Sequence, residues 1–148
     1  MKHIRTHSID YHISEADVHH QNQSEGVIRE LRRKWYCTMI GRHVPRELGN
    51  YGIRWVSETT SLTHSSAGKL KGVVPLTEVT GDISDISEYL DFGFYEKIWF
   101  KDNTGVSPFE TGHWLGFLHC TGRLMCYHVL TQRGTVISRS TVQRVANI

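Results

Sequence analysis

This chain is poor in the features that substitute for an ordinary hydrophobic core. It has three cysteines and three prolines in 148 residues. Cys37, Cys120 and Cys126 form an odd set without the spacing of a disulfide framework or a zinc module, which points to a reduced, intracellular protein. No stretch approaches the roughly 20 apolar residues needed to span a bilayer. The opening Met1-Lys2-His3-Ile4-Arg5-Thr6-His7 lacks the apolar run of a secretory leader. The expected location is therefore nuclear or cytoplasmic, with no membrane partner. Internal repeats and low-complexity tracts are absent too, which excludes solenoids and linker-like chains. A formal charge of +2 is too small to argue nucleic-acid binding by itself. What is present, 39% hydrophobic and 22% charged residues, is the composition of a folded protein. The length suits one ordinary domain, or part of a domain plus a small one.

The charge is local rather than large. Between residues 28 and 46 stand Arg29, Arg32, Arg33, Lys34, Arg42 and Arg46 against Glu30 alone, while Asp82, Asp85, Glu88 and Asp91 gather further on. An electrostatic footprint for a phosphate backbone is built this way. The basic run lies on an expected amphipathic helix. Ser24 is placed to cap it, Glu25 sits in the first turn where the helix dipole favours a carboxylate, and Gly41 suits its end. Val27, Ile28, Leu31, Trp35 and Met39 recur at steps of three and four and give one apolar face.

Before that helix, Ile9, Tyr11 and Ile13 alternate with Asp10 and His12, the pattern of a half-buried strand. After it, Pro45 opens a second helix running toward Thr63, with Leu48, Tyr51, Trp55 and Leu62 at helical spacing. Gly49 interrupts that helix at a cost of about 1 kcal/mol relative to alanine and reads as a lesion. Thr63 to Val74 is a Ser-, Gly- and Lys-rich connector, and Pro75 to Gly81 fits one helical turn. From Tyr89 the aromatic texture, with Phe92, Phe94, Tyr95, Ile98, Trp99 and Phe100, predicts strand. Further strands are expected at His113–His119, Leu124–Leu130 and Thr135–Ser138. The division is 1–63, 64–88 and 89–148: an incomplete α/β piece of one strand and two helices, a connector with a short helix, and a small antiparallel β-barrel, α+β in sum.

Three stretches in order carry a resemblance. Gln21-Asn22-Gln23-Ser24-Glu25 resembles the Gln-Asn…Glu motif that opens the last catalytic helix of copia-type retrotransposon integrases. Pro75-Leu76-Thr77-Glu78-Val79-Thr80-Gly81 with Leu90-Asp91-Phe92-Gly93 resembles the family's Pro-x-Glu-x-x-x-Gly…Leu-x-x-Phe-Gly segment, Glu78 falling one place late. Trp114-Leu115-Gly116-Phe117, Tyr127 and Ile137-Ser138-Arg139-Ser140-Thr141-Val142 resemble its terminal barrel. The resemblance implies the end of a ribonuclease-H-like core followed by a Src-homology-3-like domain, released from a polyprotein and acting in DNA integration. It implies that Glu25 is the third carboxylate of an Asp, Asp, Glu set. That set holds Mg²⁺ or Mn²⁺ for in-line attack on a phosphodiester. Gln21, Asn22, Arg29, Arg32 and Arg33 would contact DNA, and other integrase subunits or the upstream polyprotein would be partners.

The two companion aspartates of the family lie upstream. Asp10 and Asp17 stand too close to Glu25 to match either, so the chain carries one third of a metal site and is not expected to catalyse the reaction alone. Two other readings compete: a non-catalytic module binding nucleic acid or chromatin, and a degenerate relic of the element. Ten histidines invite zinc, either on His12, His19 and His20 or on His119, Cys120, Cys126 and His128. The first set lacks a cysteine, and alternation along a strand would place His119 and Cys120 of the second on opposite faces, so the three cysteines read more simply as small buried side chains. Trp99, Trp114, Phe117 and Tyr127 are expected to fill the barrel core. Arg123, Arg133, Arg139 and Arg144 would face DNA or chromatin, with Arg139 lacking the acid that follows it in the family.

Overall fold

A computed structural model describes residues 23–63, 72–83, 85–102, 107–119 and 125–145. The expected strand from Ser8 to Ile13 lies outside the described residues, as do Gln21 and Asn22. Helix α1 spans Gln23–Gly41. A 3-10 turn at Arg46–Leu48 runs into α2 at Gly49–Leu62. Pro45 stands immediately before that turn in an extended conformation, where its missing N–H costs no helical bond. Two short helices follow, α3 at Pro75–Thr80 and α4 at Ser87–Leu90. Gly81 closes α3 in the left-handed conformation, with φ of 76°, as expected of a glycine after a helix.

The remainder is a five-stranded antiparallel sheet: β1 Lys97–Lys101, β2 Phe109–Leu118, β3 Cys126–Thr131, β4 Val136–Arg139 and β5 Val142–Arg144. Its order is β4-β3-β2-β1-β5, so four strands form a meander and the fifth returns to pair with the first. The expected aromatic strand from Tyr89 is corrected: Ser87–Leu90 is helical, and pairing begins only at Lys97. The described residues form an open sheet rather than a fully hydrogen-bonded barrel. Within β2 the register shifts between Trp114 and Phe117, and Gly116 at φ of 107° takes up the irregularity. That bulge keeps both Trp114 and Phe117 on one face, while Leu115 turns to the other.

Two apolar clusters result. Ile98, Phe100, Trp114, Phe117 and Val129 fill the curved inner face of the sheet, joined by Phe92 and Tyr127. Met39, Leu48, Phe94 and Leu115 form the second, in which α1 and α2 pack with Leu130 and Val136 of the opposite face. Trp55 on α2 touches both clusters, with its ring 5.8 Å from that of Phe94. The helix pair and the sheet therefore share apolar packing across the connector. Burial of each large side chain here, Trp114, Phe94 and Phe100 among them, is worth on the order of 2–3 kcal/mol.

The glycine read as a lesion is a packing site. The Trp35 indole N–H donates to the Gly49 carbonyl at 3.1 Å, and a Cβ on Gly49 would stand 3.2 Å from the Trp35 ring. One turn further along, a Cβ on Gly52 would stand 2.9 Å from the Met39 sulfur. The two glycines let α1 and α2 approach closely, which offsets their poor helix propensity.

Candidate nucleic-acid interface

Of the residues singled out by sequence, Glu25, Arg29, Arg32 and Arg33 are described and sit on α1. Glu25 is in the first turn and half-buried, while Arg29, Arg32 and Arg33 are exposed. Separations of three and four residues put Glu25, Arg29, Arg32 and Arg33 along one flank of the helix. The charges differ in availability. Arg33 donates twice to the Glu30 carboxylate, at 3.1 and 2.7 Å, and Lys34 stands 3.9 Å from it. The bond to Glu30 and its charge push the Arg33 pKa further up. Arg29 and Arg32 make no ion pair with any described residue.

The metal implied for Glu25 does not find its donors here. Among the described residues no three His, Cys, Asp or Glu side chains come together as a metal site. A carboxylate cluster is what holds Mg²⁺ or Mn²⁺, and Glu25 by itself is a single carboxylate. His119, offered as a zinc ligand, instead meets Glu58 of α2 at 2.9 Å. Cys120 lies outside the described residues, Cys126 is half-buried, and Cys37 is exposed rather than buried.

The arginines of the sheet divide in the same way. Arg139 binds the Lys101 carbonyl at 3.2 Å and Asp102 at 3.4 Å, so Asp102 supplies the acid missing after it in sequence. Arg144 pairs with Glu96 at 2.9 Å. Arg133 stays exposed without an ionic partner among the described residues, and Arg123 lies outside them.

One prediction about the core is reversed. Trp99 is 39% exposed, because β1 alternates and turns Ile98 and Phe100 inward while Lys97, Trp99 and Lys101 face out. Phe109 is likewise 40% exposed. With Glu110, Thr111, Gln132 and Arg133 these two rings line a cleft of about 420 Å³. The period-two pattern of Lys97-Ile98-Trp99-Phe100-Lys101 was the sequence signal for it. Next to the cleft, the His113 ring stacks on Tyr95 at 4.2 Å, and burial, helped by Lys97, pushes the imidazole pKa down.

The fold and these surfaces define an α+β protein with a basic helix and a five-stranded antiparallel sheet, and among the described residues no helix is long and apolar enough to cross a membrane. No protein-family model matches the chain, and no curated protein or solved structure is found similar to it.

Proposed function

We propose that this chain is the carboxy-terminal part of a copia-type retrotransposon integrase, acting in DNA integration and inactive alone. The observation that carries the reading is the strand order β4-β3-β2-β1-β5. An antiparallel meander whose fifth strand returns to the first supports a Src-homology-3-like domain after the helix pair. The position of Glu25 in the first turn of a basic helix supports the end of a ribonuclease-H-like core. Metal-dependent strand transfer would belong to the whole enzyme, because the described residues supply only one of the carboxylates that the reaction needs. The test is to translate the DNA upstream of the Met1 codon. Two aspartates in frame or after one slip, the nearer several tens of residues before Glu25, are expected, and a locus without them overturns the integrase reading.

A second reading is a non-catalytic module that grips duplex DNA through α1. The exposed Arg29 and Arg32, without ionic partners among the described residues, favour it. Replacing both by glutamine should weaken duplex binding and flatten its dependence on log salt by about 0.9 per lost phosphate contact. Titration of a labelled duplex at several salt concentrations measures this directly.

A further inference from the structure

The outer face of the sheet is covered only in part. Direct cross-strand partners share a face, so Lys97 lies with His113, Trp99 with Thr111, and Lys101 with Phe109. His113 pairs in turn with Leu130, and Leu130 with Val136. The helices pack over the Leu130 and Val136 end of this face. No described residue covers the Trp99 and Phe109 end, which forms the 420 Å³ cleft and adjoins a second hollow of about 310 Å³ through Thr111 and Gln132.

Chemistry decides what the open end suits. Lys97, Lys101 and Arg133 are exposed and make no ion pair with any described residue. Along β1 the outward side chains read cation, indole, cation, and Phe109 stands across from Lys101. Burial and Lys97 both hold His113 toward its neutral form, so the charge of this surface comes from the lysines and Arg133. The Gln132 amide donates to the Thr111 hydroxyl inside the cleft, so polar groups stand between the two rings. An acidic peptide would use the cations and leave both rings idle. A duplex would meet the cations, but its bases are stacked away from the rings. A polyanion with exposed flat faces uses every part.

We propose that this open sheet end binds single-stranded nucleic acid, with Trp99 and Phe109 as stacking platforms and Lys97, Lys101 and Arg133 along the backbone. Rings interleaved with cations are the general means of holding unpaired strands without regard to sequence. The site is separate from the α1 flank, and it stands or falls independently of what lies upstream of Met1.

The test is fluorescence anisotropy of the whole chain with labelled oligo(dT) and oligo(rU) of about 15 nucleotides, within the usual site sizes, and with a duplex of equal length. Single-strand binding should depend on Trp99, and any duplex binding at α1 should not. Trp99→Leu should weaken single-strand binding at least about fivefold, the low end for one lost base stack, whereas Trp99→Phe should retain most of it. Lys97→Gln with Arg133→Gln should flatten the log–log salt slope by roughly 0.7 per contact. These two cations are exposed, so that variant keeps the question open to test even if Trp99→Leu folds poorly. Duplex binding that Trp99→Leu weakens as much as it weakens single-strand binding overturns the proposal. So does unchanged affinity in a folded Trp99→Leu protein, or competition by polyglutamate equal to that by unlabelled oligo(dT).

Discussion

At the scale of single residues, small side chains determine where this molecule can close. Gly112 on β2 is the tightest position in the sheet: a Cβ there would stand 2.5 Å from the Leu130 carbonyl and 2.9 Å from Val129. The first of these is backbone and cannot swing aside. Gly112→Ala should therefore destabilise the protein by about 1–3 kcal/mol or more, the usual cost of overpacking, measured as a lower urea midpoint at unchanged slope. Gly49 teaches the complementary lesson. Its helix penalty is legible in the sequence, but the Trp35 ring that rests on it comes from 14 residues away, and spacing on one helix carries no record of such a partner. Arg139 is similar, since its acid is Asp102 on another part of the chain rather than the next residue.

At the scale of elements, local pattern and tertiary override can be told apart. The 3.6-residue period located α1, and the Pro-to-Gly frame located α3. The same period overstated the buried face of α1, because Val27 and Ile28 are 39% and 50% exposed while Met39 is buried. Three residues of β5 carry too little pattern to be read alone, and pairing with β1 defines them. The cleft at Trp99 was legible by alternation, yet aromaticity argued for the core and concealed it. On α1 itself, Glu30 holds back Arg33 and Lys34. Glu30→Gln should lose less than about 0.5 kcal/mol of helix stability per pair. If the α1 flank contacts DNA, the salt slope of duplex binding should steepen by about 0.9 for each cation that reaches a phosphate.

At the scale of the whole molecule, Trp55 ties helices to sheet. Trp55→Ala, at a partly buried site, should lower stability by up to about 3 kcal/mol and shift one cooperative transition seen alike by far-ultraviolet circular dichroism and tryptophan fluorescence. Two separated transitions in the native chain would show instead that residues 23–63 and 87–145 melt independently. Histidine adds a pH dependence at the same junction. His128 of β3 packs edge-on to Tyr51 of α2 at 5.3 Å, and burial, then Arg54, pushes its pKa down. His113 shifts the same way. A histidine with a lowered folded pKa takes up protons more readily when unfolded. Its contribution is complete above about pH 6.5 and is lost as the pH falls below that value. The urea midpoint should thus decline between pH 7.5 and 5.5, and His128→Gln should reduce the decline.

The strand order has one more consequence. A sheet that does not close presents two margins, here β4 with four residues and β5 with three. Each ends in an arginine, Arg139 or Arg144, engaged with acidic and carbonyl groups. Margins so short and so charged give a neighbouring molecule little to add a strand to, and fibre growth by edge pairing is correspondingly disfavoured.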